Sequence, residues 1–138
     1  MSDRALASHR RRMSQADAHY GGGLVAGGRL MELLGDVATE LCVRSDGDEG
    51  LLAGYSSVEF LAPVVAGDFL EVRGEVVRVG RTSREMSFEV VRYARARPGE
   101  SDSAADIVDP PEVVARAVGT CVVPADRQRR RHSDRAGE

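Results

Sequence analysis

The stretch that most constrains this chain runs from Gln15 to Arg44 and reads QADAHYGGGLVAGGRLMELLGDVATELCVR. A polar segment (Asp17, Ala18, His19, Tyr20) leads into a Gly-rich turn, and helix periodicity follows. Leu24, Val25, Gly28, Met31, Leu34, Ala38, Leu41 and Cys42 recur at three- and four-residue steps and form one apolar stripe. At the usual rise this is about five turns of helix. Nothing downstream repeats that period. A lone helix with an apolar stripe has no second helix to pack on, so a sheet must cover it. Gly27 and Gly28 each weaken the first turn by about 1 kcal/mol relative to Ala. That choice predicts either a closely packed neighbour or a ligand approaching the backbone.

The remainder reads as strands. Residues 1–8 are expected to fray, and Arg10 to Ser14 to form a short edge strand. Ser45 to Gly50 stops the helix. Leu51 to Leu61 alternates as a strand, Ala62-Pro63 ends it, and Val64 to Asp68 turns the chain. Phe69 to Val79 places Phe69, Glu71, Arg73, Glu75, Val77 and Val79 on one face and Leu70, Val72, Gly74, Val76 and Arg78 on the other. Gly80 to Ser83 is a turn. Arg84 to Arg95 is a strand, with Met86, Phe88 and Val90 opposed to Ser87, Glu89 and Val91. Arg97 to Pro111 reads as a long polar loop, and Glu112 to Val123 as the last strand. The division expected is one domain over residues 1–124 and a flexible Arg-rich tail over 125–138, carrying Arg127, Arg129, Arg130 and Arg131. One long helix followed by strands joined as antiparallel hairpins predicts an α+β chain with a sheet wrapped around a central helix, the hotdog architecture.

Composition narrows the function. The net charge of −3 argues against nucleic acid as a partner. No run of 18 apolar residues is present to span a membrane, and the polar, Arg-rich start does not resemble a secretory signal. All 19 basic residues are Arg, which excludes Schiff-base lysine chemistry. Cys42 and Cys121 read as two buried thiols in a reducing cytosol, so a cytoplasmic location is expected. No Cys/His spacing suggests a metal site.

Three segments carry a family resemblance: DAHYGGGLVAGGRLMELLGDVATEL, DGDEGLLAGYSSVEFLAPVVAGDFLE and VGRTS. Together they closely resemble the β-aminoacyl-CoA ammonia lyases, the β-alanyl-CoA and 3-aminobutyryl-CoA enzymes of the hotdog superfamily. The similarity runs from about Met13 to Val123. The joint occurrence of DAHY, GDVATEL and VEFLAPV is what makes it specific, since hotdog acyl-CoA thioesterases carry much the same VEFLAPV strand and turn. The resemblance implies a CoA thioester substrate, ammonia as the second reactant, and a homodimer or larger assembly such as a trimer of dimers, with active sites between subunits. A thioesterase using Asp36 as its base, or a CoA-thioester-binding module without turnover, remains as an alternative. Where these lyases often have GN or TGN after DAHY, this chain has Gly21-Gly22-Gly23.

Eliminating ammonia from a 3-aminoacyl-CoA requires a base for the Cα proton, donors for the enolate oxygen, and a group to manage the amine proton. The thioester itself acidifies Cα, so no cofactor is expected beyond the CoA that belongs to the substrate. For the oxyanion, the candidates are the backbone N–H groups of Ala26, Gly27 and Gly28 at the helix start. For proton transfer they are Asp17, His19, Asp36, Glu40 and Glu59, with burial at an interface expected to raise the pKa of Asp36 or Glu40 toward that of a working base. Tyr20 could place a hydroxyl on the ligand. For CoA, the turn Gly80, Arg81, Thr82, Ser83 and the adjacent Arg84 offer backbone and guanidinium donors.

Overall fold

The structure is a computed structural model and describes residues 5–132. Its axis is α1 (Gly27–Asp46), which buries Leu30, Leu33, Leu34, Val37, Ala38, Leu41 and Cys42. The helix begins later than the apolar stripe suggests. Gly22 and Gly23 both have positive φ (74° and 75°), a conformation that side chains resist, and they swing the chain back on itself. Leu24–Val25 therefore forms a short strand, β3, antiparallel to β2 (Ala18–Tyr20). The buried stripe starts at Leu30, and Gly28 lies on the exposed side. At the other end the helix closes on Gly47, whose N–H donates to the Val43 carbonyl.

Five antiparallel strands cover this helix in the order β1-β5-β6-β7-β4. The edge strand β1 (Leu6–Arg12) starts earlier than expected and pairs with β5 from Leu6↔Glu75 to Arg12↔Phe69, so residues 6–8 are not frayed. Residues 1–4 lie outside the described residues. β4 is Leu51–Phe60 and β5 is Phe69–Val79. A register shift between Val76 and Arg78 moves Val79, rather than Arg78, to the buried face. β6 spans Ser83–Ala96. The loop expected over 97–111 is shorter, because β7 spans Ala105–Val122 and pairs Ala96↔Ala105 and Ala94↔Ile107. Pro110 and Pro111 fall where the register jumps between Arg92↔Glu112 and Ala94↔Ile107, so their missing N–H groups break no ladder bond.

The outer face of the sheet carries alternating charges across its strands. Glu71 accepts from Arg10 (3.4 Å) and Arg73 (2.7 Å), Arg73 lies 3.6 Å from Glu89, Glu89 lies 3.8 Å from Arg116, and Arg116 stands opposite Glu59 on β4.

Two buried arginines tie the sheet to the helix side. Arg84 is fully buried and grips Asp46 in the last helical turn through Nε–Oδ2 and Nη2–Oδ1 bonds of 2.8 Å each. Its Nη1 donates to the carbonyls of Gly80 (2.9 Å) and Ser83 (2.8 Å). Arg92 sits eight residues further along the same strand. It grips Asp68 (Nη1–Oδ2 2.9 Å) and Glu112 (Nε–Oε1 3.1 Å).

The Arg-rich segment beyond Pro124 is docked rather than loose as far as His132. Arg129 N–H donates to the Asp46 carbonyl (3.0 Å), Gln128 Nε2 to the Arg81 carbonyl (2.7 Å), and His132 Nε2 lies 2.7 Å from Asp46 Oδ1. The carbonyls at a helix C-terminus attract such donors. Residues 133–138 lie outside the described residues. Among the described residues, no helix is long and apolar enough to cross a membrane.

Candidate active site

The start of α1 opens into a cleft of about 370 Å³ walled by Tyr20, Leu24, Leu30, Phe60, Leu61, Pro63 and Val64. No side chain caps this helix start; the residue before it, Ala26, is extended (φ −71°, ψ 147°). The first N–H groups of a helix have no partner within it, and the dipole favours negative charge beside them. An apolar cleft in front of such donors is suited to an acyl chain whose carbonyl oxygen becomes negative.

The two glycines of the first turn serve different ends. A Cβ on Gly27 would lie 2.7 Å from Phe60 Cζ, so glycine there lets the tip of the aromatic ring reach the helix start. A Cβ on Gly28 would meet nothing within 4 Å, so packing inside this chain does not explain it. Gly35, one heptad on, is equally open.

The predicted acid–base residues do not converge. Tyr20 lines the cleft and the exposed His19 stands beside it, with their rings edge to face at 4.9 Å. Asp17 lies behind them and is committed to structure. Its carboxylate accepts from the Ser14 N–H (2.7 Å) and from Arg29 Nε (2.7 Å), which ties the segment before the cleft to the first turn of α1. Those bonds, the Ser14 N–H foremost, hold its pKa below the usual carboxylate range.

Glu40 reverses the expected direction. It is clasped by His9 from β1 (2.7 Å) and by Arg44 one turn on (2.7 Å), and these bonds lower its pKa instead of raising it. Asp36 is exposed midway along α1, on the side turned away from the sheet. Glu59 sits on the outer face of the sheet, opposite Arg116 and remote from the helix side.

The CoA-binding expectation divides in the same way. Gly80, Arg81 and Thr82 form the turn between β5 and β6, Ser83 opens β6, and the exposed Arg81 side chain is free to meet a phosphate. Arg84 is not, since it is fully buried on Asp46. Burial disfavours the Asp46 charge, yet the donors from Arg84, Ser45 and His132 outweigh it and hold this carboxyl at about 2.

Sequence reasoning passed over Phe60, Asp46, Asp68 and Arg92. Asp68 was within reach, because it is the Asp of the VEFLAPV…GD segment and sits beneath the turn that walls the cleft.

Comparison with known proteins agrees with this fold. The sequence model of the thioesterase superfamily matches residues 22–97. A 3-aminobutyryl-CoA ammonia lyase of Acetoanaerobium sticklandii is 56% identical over 119 residues, covering 86% of this chain and 94% of that protein. The structure of β-alanyl-CoA:ammonia lyase from Clostridium propionicum superposes with a TM-score of 0.88 at 38% identity, covering 95% of this chain and 94% of that one. An acyl-CoA hydrolase variant of Staphylococcus aureus, solved with coenzyme A, shares the fold with a TM-score of 0.74 at 21% identity, covering 92% of this chain and 69% of that one. The hotdog domain described here thus belongs to the β-aminoacyl-CoA ammonia lyase family of the thioesterase superfamily.

Proposed function

We propose that the protein is a CoA-dependent ammonia lyase, interconverting a 3-aminoacyl-CoA with a 2-enoyl-CoA and ammonia. The observation that carries this reading is the uncapped start of α1 facing an apolar cleft, in a chain 56% identical to a 3-aminobutyryl-CoA ammonia lyase. The thioester carbonyl docks on the N–H groups of Gly27 and Gly28. Loss of the Cα proton to a base puts charge on that oxygen; the enolate's electron pair then forms the Cα=Cβ double bond as the Cβ–N bond breaks and the protonated amine leaves as ammonia. Preorganised donors of this kind contribute about 3–4 kcal/mol each to the transition state.

Among the described residues the cleft walls hold no carboxylate, so the base comes from outside them. We assign it to Asp36, supplied across an interface between two copies. The open space above Gly28 and Gly35 on the same helix supports a neighbour there. So does the apolar exposure along edge strand β4 and just beyond it, where Leu51 is 69% exposed, Phe60 51% and Leu61 46%. A homodimer or larger assembly covers both. His19 and Tyr20 contact the amine end, and the 80–83 turn with Arg81 takes the CoA. The two free, buried thiols suit a cytoplasmic location.

Crotonyl-CoA in ammonium buffer tests the reaction. Enoyl absorbance should fall while a 3-aminobutyryl-CoA mass appears, and Asp36→Asn should slow this at least about 100-fold. A second reading, thioester hydrolysis, is favoured by the superfamily match alone and would release free thiol instead. Unchanged absorbance with several enoyl-CoAs refutes the lyase.

A further inference from the structure

The turn between β4 and β5 is the piece of backbone that meets both the cleft and the segment leading into α1. On the cleft side, Pro63 and Val64 form part of the wall. On the other side, Val64 accepts from the Val25 N–H (2.8 Å), Ala66 N–H donates to the Gly23 carbonyl (2.9 Å), and Gly67 N–H donates to the Met13 carbonyl (2.7 Å). Val25 stands two residues before Gly27. Where this turn sits is therefore where the helix starts.

A buried ionic knot holds the turn. Asp68 is 1% exposed; its Oδ2 accepts from the Val65 N–H (3.0 Å) and from Arg92 Nη1 (2.9 Å), and its Oδ1 from the Ala96 N–H (3.0 Å). Arg92 is 2% exposed, and the same Nη1 donates to the Pro63 carbonyl (2.7 Å). One guanidinium thus reaches both ends of the turn, and Glu112 of β7 fixes its other edge. Burial opposes the Arg92 charge, but Glu112 and Asp68 outweigh it and raise its pKa. A buried ion pair is a poor way to gain stability over a packed apolar pair. What a planar, multiply bonded guanidinium adds is a fixed direction for everything attached to it.

We propose that Arg92, acting through Asp68 and Pro63, is a positioning residue that sets both the donor groups at the start of α1 and the wall of the cleft facing them. It touches no reacting atom. The inference rests on the lyase reading above.

The variants to compare are Arg92→Lys, which keeps the charge but not the fork, and Asp68→Asn, which keeps the volume but not the charge. Each is assayed below its own melting transition. A displacement of about 1 Å costs on the order of 100-fold in rate. Both variants should lose about that much kcat, with KM for crotonyl-CoA within about threefold of wild type. Amide exchange should quicken at least about tenfold at Val25 and Ala66 and stay unchanged at Val72 and Val90. A role in stability alone would lower the melting temperature and speed exchange throughout, with kcat of the folded protein intact. A folded Arg92→Lys or Asp68→Asn protein with kcat within about twofold of wild type overturns the proposal. Should Arg92→Lys fail to fold, Asp68→Asn decides by the same two readouts. Should wild type itself show no ammonia-dependent turnover, the lyase reading falls, and exchange at Val25 and Ala66 against Val72 and Val90 alone settles the positioning.

Discussion

Arg84→Met should lower stability sharply and change substrate affinity little. The wild-type Asp46 carboxylate accepts from four side-chain groups: Arg84 Nε and Nη2, Ser45 Oγ and His132 Nε2. The substitution removes two of them together with the counter-charge, and it also strips a donor from the carbonyls of Gly80 and Ser83. Removing one partner of a buried ion pair costs about 3–5 kcal/mol. The surviving Ser45 and His132 contacts favour the lower half of that range. Unfolding entropy of about 2.1 cal/mol/K per residue, over 138 residues, converts such a loss to a fall in Tm of about 10–15 °C. Calorimetric melts at one fixed protein concentration read this, since assembly makes Tm concentration-dependent. Steady-state kinetics on the same preparation should give a KM for crotonyl-CoA within about threefold of wild type, because Arg84 is fully buried and meets the 80–83 turn only at the Gly80 and Ser83 carbonyls. The double variant Asp46→Leu/Arg84→Met leaves no lone buried charge and should recover at least about half of the loss. A Tm within about 2 °C of wild type, accompanied by a KM raised about tenfold, would instead place Arg84 on the CoA and refute the argument.

Three further outcomes follow from the same geometry. Asp46 is held at about 2 against an ordinary 3.8, so its contribution of about 2 kcal/mol is complete above pH 3.8 and lost as the pH falls through 2; urea unfolding at pH 6 and pH 2.5 should show it, and Asp46→Asn should flatten that part of the dependence. Gly27→Ala puts a methyl 2.7 Å from a Phe60 ring that is itself half exposed and able to swing away; stability should change by less than about 1 kcal/mol while kcat/KM falls about tenfold, and Phe60→Leu in the same chain should restore much of the activity. Cys42 and Cys121, 0% and 2% exposed, should not react with an aromatic disulfide reagent until the protein is unfolded by denaturant, and a stoichiometric native-state reaction would contradict their placement.

The central helix, the strand order along the chain and β5 were legible because each has a period that survives without its neighbours. The alternation along β6 held more than was taken from it. Met86, Phe88 and Val90 mark the core face, and two steps either way bring Arg84 and Arg92 onto that same face. A charged residue on an apolar face needs a buried partner, so both were candidates for internal ion pairs before any coordinates. The helix start was misjudged because Leu24 and Val25 fit either a stripe or a strand. What decides between them is a bond from Val25 to Val64, 39 residues away in sequence, which no local pattern encodes. Glu40 was misjudged for the same reason, since His9 reaches it from 31 residues upstream. His19, Tyr20 and the helix-start backbone were grouped because they are contiguous in sequence, and Tyr20 and Gly27 both line the cleft.

Arg84 and Arg92 are studs on one strand. At the usual rise they are about 27 Å apart, close to the roughly 30 Å length of a 20-residue helix. One stud holds the last turn of that helix, and the other holds the hinge from which its first turn departs. The strand therefore gauges the helix. A residue gained or lost between the studs would point one guanidinium outward and release an end of the rod, so in this chain the lengths of rod and gauge are coupled.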